Sequence, residues 1–204
     1  TYTDSWTTEN PAIRAARKRG EELSVSSPNP TTGAVLAVLA AALRAKAVVE
    51  VGTGVGITGL RLLEGMEPDG ILTTIDPDPS HQSAAKETFG QAGLEPGRAR
   101  QITGQPSEVL PRLADGAYDL VLINDFDQDP QSFLDQSRRL LRGGGLVVLR
   151  GALGEDAAVT DPAKRDPGTT SLRSAAASLA EDDQLLTALL PVSDGLLIAT
   201  KRTV

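Results

Sequence analysis

From residue 47 onward two kinds of segment alternate, and this alternation restricts the fold more than any other feature of the chain. Short apolar, β-branched runs cover 47–51, 71–75, 99–103, 118–123 and 146–149. Stretches with helical spacing cover 57–63, 80–92, 107–113 and 131–141. Strands that alternate with helices build βαβ units, which stack into a mostly parallel α/β sheet with helices on both faces. Pro68-Asp69-Gly70 and Gly143-Gly144-Gly145 supply turns between them. Upstream, the spacing predicts helices over 11–23 and 31–43, the second with Val35, Leu36, Leu39 and Leu43 on one face. Downstream, 151–168 is rich in Gly, Asp and Pro and reads as a loop. A helix over 170–180 follows, then two strand-like runs, 184–190 and 196–201, which the turn Pro191-Val192-Ser193-Asp194-Gly195 joins as an antiparallel pair. With no repeat and no long linker, 1–204 reads as one domain: an N-terminal helical cap over 1–45 and an α/β core over 46–204.

Charge and composition narrow the function. Twenty Lys and Arg against 27 Asp and Glu leave a net charge of -7. Phosphate backbones require clustered cations, so nucleic acid is not an expected partner. Arg14, Arg17, Lys18 and Arg19 form the one basic cluster, read as a solvated helix face. There is no cysteine. Thiol nucleophiles, thiolate metal sites and disulfides are thereby excluded, which fits a reducing cytosol. No apolar run approaches the roughly 18 residues of a membrane span and no leader-like stretch is present, so a cytoplasmic protein away from membranes is expected.

The strongest local signal is "VVEVGTGVGITGL", residues 48–60. A strand runs into a turn carrying Gly52, Gly54 and Gly56, and a helix follows. Without Cβ atoms the turn lets a ligand approach the backbone, and the first amides of the helix face an anion. In open parallel sheets, ligands bind beyond the carboxyl ends of the strands. Two cofactors remain open here. Gly54-Val55-Gly56-Ile57-Thr58-Gly59 loosely passes the dinucleotide pattern of an NAD-linked oxidoreductase. S-adenosylmethionine would instead place its methionine carboxylate on the loop amides and Thr58. Glu50, just before the loop, suits a ligand that carries an ammonium group and sits badly beside a pyrophosphate. Asp76 ends the next strand, where a carboxylate accepts two ribose hydroxyls from either cofactor.

Five blocks, "VVEVGTGVGITGLRLL", "GILTTIDPDPSHQSAAKETFGQAGL", "GQPSEVLPRLADGAYDLVLI", "FLDQSRRLLRGGGLVVL" and "LLPVSDGLLIATKR", resemble in order the small class I O-methyltransferases, among them catechol and caffeoyl-coenzyme A O-methyltransferases. The resemblance runs from about residue 28 to the end. It implies a Rossmann-like, seven-stranded sheet with one antiparallel strand, S-adenosylmethionine as cofactor, a small-molecule acceptor and a homodimer. Carried over by position, Glu50, Gly52, Gly54 and Thr58 line the methionine end, with Thr53 and Gly56 completing the loop. Asp76 holds the ribose. Gln105, Pro106 and Ser107 fall on the adenine side, and Phe126 falls either at the adenine edge or in the core.

The departures from the resemblance lie at one corner. The family binds a divalent cation with an Asp ending strand four and an Asp-Asn pair ending strand five, and often carries a Lys three residues after the first Asp. Here those positions hold Asn124, Arg150-Gly151 and Asp127. Magnesium requires anionic oxygen donors in near-octahedral geometry, so no metal is expected. Arg150 then reads either as the cation that orients an acidic acceptor or as a surface residue at a strand end. Asp127 or Asp125 is the candidate base. Asp125, Asp127 and Asp129 also open like a calcium loop, but Pro130 and Gln136 occupy its glycine and glutamate places. The sole histidine, His81, reads as structural. Segment 151–168 reads as a lid. The loss of Asp, Lys and Asp-Asn together keeps a non-catalytic cofactor-binding homologue as the alternative.

Overall fold

The computed structural model of the protein describes residues 2–124 and 130–203. The chain packs as two compact units, Thr1–Val109 and Leu110–Val204.

The first unit holds α1 (Tyr2–Trp6), α2 (Pro11–Glu22), α3 (Pro30–Ala42), β1 (Ala47–Val51), α4 (Ile57–Gly65), β2 (Ile71–Asp76), α5 (Pro79–Gln91), β3 (Ala99–Thr103) and α6 (Pro106–Val109). Its strands lie in the order β3-β2-β1, all parallel. The register sets Glu50 opposite Thr74 and Val51 opposite Ile75. Val48, Val49, Leu72 and Ile75 are buried in the sheet, and Leu36 of α3 and Leu60 and Leu62 of α4 are buried as well. Helix α4 passes α3 so closely that a Cβ on Gly65 would overlap the carbonyl oxygen of Ala37.

The second unit holds β4 (Tyr118–Ile123), α7 (Pro130–Leu140), β5 (Leu141–Arg150), α8 (Pro167–Ala180), β6 (Leu185–Leu190) and β7 (Leu196–Lys201). Its order is β4-β5-β7-β6: β4 and β5 are parallel, while β7 is antiparallel to both of its neighbours. The seven strands and the terminal antiparallel pair are those the sequence predicts.

Element ends differ from expectation for physical reasons. Helices α2, α3, α5 and α8 each start on Pro after an Asn or Asp cap, namely Asn10, Asn29, Asp78 and Asp166. Proline suits the first helical position because its missing N–H has no partner there in any case. Hence α8 starts at Pro167 and not at 170. The stretch expected as one helix over 107–113 is instead α6 followed by a 3-10 turn, Leu110–Arg112. Pro111 cannot donate into a continuing helix and disfavours helical backbone at Leu110. Strand β5 begins at Leu141, five residues before the expected 146. Tyr118 pairs with Leu141 but Leu120 pairs with Leu146, so the triglycine segment absorbs three extra residues as a bulge. A further 3-10 turn, Glu155–Thr160, interrupts the loop after β5.

The basic cluster on α2 is more engaged than a solvated face. Arg17 forks onto Glu9 at 2.6 and 2.7 Å, Arg19 donates to Thr88 Oγ1 at 2.8 Å, and Arg14 donates to the Glu9 carbonyl. These contacts tie α2 to the residues before it and to α5.

Two caps make stability sensitive to acid. Hydrogen bonds from the Ser80 hydroxyl and amide hold Asp78 below the usual carboxylate range, and the Thr169 amide does the same for Asp166. A carboxylate with a lowered folded-state pKa stabilises fully above its unfolded value, and that stabilisation disappears as pH falls through the folded value. The melting temperature is therefore expected to fall on acidification below about pH 4, and Asp166→Asn is expected to flatten part of that decline. An identical acid profile in the variant would remove Asp166 from the account.

Candidate cofactor loop and acceptor corner

In the first unit the turn between β1 and α4 is built on left-handed backbone, with Gly52, Gly54 and Gly56 at φ +86°, +49° and +84°. Side chains other than glycine rarely take this conformation. At Gly56 a Cβ would also stand 3.0 Å from the Ala85 backbone on α5. At Gly59 it would stand 2.9 Å from Glu50 Oε2 and from Leu72, so that glycine allows α4 to lie close on the sheet. Gly56 stands at the N-cap of α4 and offers its first amides no side-chain cap.

Asp76, 4% exposed, closes the turn. Its Oδ2 accepts from the Gly54 amide at 3.0 Å and its Oδ1 from the Asp78 amide at 2.9 Å. His81 Nδ1 lies 3.2 Å from both oxygens, so the histidine expected to be merely structural sits against the proposed ribose acceptor. The Gly104 amide donates to the Asp76 carbonyl at 3.1 Å, and Pro106 starts α6 two residues later. The residues expected on the adenine side, Gln105, Pro106 and Ser107, thus follow a residue fastened to the end of β2.

Glu50 is fully buried. It accepts from the Thr58 hydroxyl on α4 and, at 2.7 Å, from Thr74 Oγ1 on β2. Thr53, 2% exposed, meets Thr74 Oγ1 at 2.7 Å and accepts from Gln82 Nε2 at 3.0 Å. The structure brings together Glu50, Thr53, Gly54, Thr58 and Asp76, as the sequence expects, and adds Thr74, Gln82 and His81. The parallel register carries the signal for Thr74, because it places Thr74 beside Glu50.

In the second unit, Asn124 follows β4 and Arg150 ends β5. Arg150 Nε donates to Asn124 Oδ1 at 3.1 Å. The two residues that replace the metal-binding pattern therefore meet each other. An amide oxygen already accepting from a guanidinium, beside that fixed positive charge, does not suit a divalent cation. Among the described residues no three Asp, Glu or His side chains cluster as metal ligands. Asp125, Phe126, Asp127 and Asp129 lie outside the described residues. Past Arg150, the Gly151 and Ala152 amides donate to the Gly195 carbonyl and the Leu153 amide to that of Asp194. Arg173 on α8 donates to the carbonyls of Val159, Asp161 and Lys164. The segment after β5 is held at both ends by backbone acceptors.

A glycine turn after the first strand of a parallel set, closed by an acid at the tip of the second, defines a Rossmann-like nucleotide-binding protein. The O-methyltransferase family model matches residues 9–202. The chain belongs to that family. A Mycolicibacterium smegmatis protein whose name places it among O-methyltransferases is 46% identical over 202 residues, 98% of this chain and 95% of its own. A solved Corynebacterium glutamicum protein superposes with a TM-score of 0.93 at 32% identity, over 100% of this chain and 95% of that one. The O-methyltransferase TomG of Streptomyces achromogenes, involved in tomaymycin synthesis and solved with S-adenosylmethionine, superposes with a TM-score of 0.84 at 25% identity, over 97% of this chain and 92% of its own.

Proposed function

We propose that the chain transfers a methyl group from S-adenosylmethionine to an oxygen of a small, acidic acceptor without a divalent metal. The Arg150–Asn124 hydrogen bond carries this reading, since it fills the family's metal corner with a guanidinium. S-adenosylmethionine, when bound, supplies a methyl group already activated on a sulfonium. The chain's own work is then binding and alignment, and well-oriented proximity alone supplies roughly 7–11 kcal/mol. Asp76 accepts the ribose hydroxyls, the turn from Gly52 to Gly56 and the start of α4 at Thr58 take the methionine end, and Pro106 flanks the adenine. Arg150 forks onto the carboxylate or phenolate of the acceptor. As the oxygen–carbon bond forms, the carbon–sulfur bond breaks and its electron pair stays on sulfur. An ionised acceptor needs no base; for a neutral hydroxyl, Asp127 or Asp125 takes the proton. The segment after β5 acts as the lid.

One family model spanning residues 9–202 supports a single methyltransferase domain. A cytoplasmic location is supported by the cysteine-free sequence. A homodimer is supported by the exposed apolar side chains Tyr2, Trp6, Val38, Leu186 and Leu189. No helix among the described residues is long and apolar enough to cross a membrane.

The test uses tritiated S-adenosylmethionine and a panel of phenolic carboxylic acids. Turnover is expected to be unchanged by EDTA and unaffected by added magnesium. Arg150→Ala is expected to lower kcat/KM for the acceptor by about 10- to 100-fold, a loss of roughly 1.4–2.7 kcal/mol, with cofactor affinity kept. Chelator-sensitive activity that magnesium restores would refute the metal-free reading. Unchanged kinetics in Arg150→Ala would return that residue to the surface.

A further inference from the structure

We infer that Thr74, a buried residue of β2, is a positioning residue for the cofactor, acting through Glu50 and Thr53; the inference rests on the cofactor site described above. A threonine hydroxyl has one proton to donate and two lone pairs to accept with. Thr74 Oγ1 donates its proton to Glu50 Oε2 at 2.7 Å. At its 2.7 Å contact with Thr53 it is therefore the acceptor, and Thr53 Oγ1 is the donor. Thr53 in turn accepts from Gln82 Nε2 at 3.0 Å, and Gln82 Oε1 accepts from Gln101 Nε2 at 2.8 Å. All the donors point one way: Gln101 on β3 to Gln82 on α5, to Thr53 in the glycine turn, to Thr74 on β2, and finally to the Glu50 carboxylate on β1. The other Glu50 oxygen accepts from Thr58 at the start of α4.

The chain crosses three strands, one helix and the turn, and it ends on the acid that precedes the turn. Hydrogen bonds in series polarise one another in a buried setting, and a break leaves the remaining groups unsatisfied. Thr53 lies between Gly52 and Gly54, both left-handed, so the hydrogen bonds that hold its side chain also restrain the backbone of the turn. Thr74 joins the turn to Glu50. Its methyl group alone would explain burial, but not a hydroxyl with both roles assigned.

The experiment is calorimetric titration of the full-length protein with S-adenosylhomocysteine. Thr74→Val keeps the branched shape and removes the hydroxyl; Thr74→Ser keeps the hydroxyl and removes the methyl. Valine is expected to raise Kd about tenfold and serine to stay within about twofold of the parent. Gln82→Met is expected to raise Kd about threefold alone and to add little on top of Thr74→Val, because members of one network are not additive. Parent-like affinity in Thr74→Val, or a serine variant as weak as the valine, would overturn the inference. Should the valine variant fail to fold, parent-like affinity in Gln82→Met would overturn it equally. A parent protein that does not bind S-adenosylhomocysteine at all would overturn the cofactor site itself, and this result is distinct from the others.

Discussion

Asp76→Ala is expected to weaken S-adenosylhomocysteine binding about 100-fold, and Asp76→Asn about tenfold. The carboxylate sits at the tip of β2 with one oxygen on the Gly54 amide and the other on the Asp78 amide. In the proposed complex it takes two ribose hydroxyls, and hydrogen bonds to a charged acceptor are worth about 1.5–3 kcal/mol each. A hundredfold loss is about 2.7 kcal/mol, close to two such bonds at the low end. Alanine also deprives Gly54 of its partner, so the turn loses its closure as well as the ligand's anchor. Asparagine keeps one acceptor without the charge, which accounts for its milder effect. Calorimetry measures both, with far-UV circular dichroism showing the fold intact. Affinity within twofold of the parent in Asp76→Ala would mean that the ribose is held elsewhere.

The second large effect falls on folding. Gly65→Ala is expected to destabilise the protein by about 3 kcal/mol, the upper end of the usual cost of overpacking. The added methyl would overlap the Ala37 carbonyl oxygen and stand 2.9 Å from its carbon. Both are backbone atoms of α3, so no side-chain rotation relieves the contact and the two helices must separate. At 2–4 °C per kcal/mol for a chain of this size, the melting temperature should fall by roughly 6–12 °C. A thermal melt within 1 °C of the parent would show that α3 and α4 lie farther apart than described.

Much of this architecture can be read from the residues because its signals are local. The β-branched runs, the helical spacing and the Asn-Pro and Asp-Pro pairs each act within a few positions, and the strands that follow them are the observed ones. The glycine turn and Asp76 are legible for the same reason. What escaped depends on contacts between one element and another. Thr74 looks like one more residue of an apolar strand until the register sets it beside Glu50. His81 looks like a solvated helix start until α5 turns it onto Asp76. Gln82 shows its part only when β3 and the glycine turn are both in place. The extension of β5 through three glycines was hidden because glycine carries no strand signal, and only pairing with β4 reveals the bulge. The Arg150–Asn124 contact joins the end of one strand to the end of its neighbour, 26 residues apart. The sequence shows that both positions depart from the family pattern, but not that the two departures meet.

The most direct test is a crystal structure of the protein grown with S-adenosylhomocysteine and magnesium chloride. Density for the nucleoside is predicted over Asp76, with the amino-acid end against Gly52 to Gly56 and the guanidinium of Arg150 still on Asn124. A cation coordinated by Asn124 with Arg150 displaced, or the ligand seated away from the glycine turn, would contradict the account.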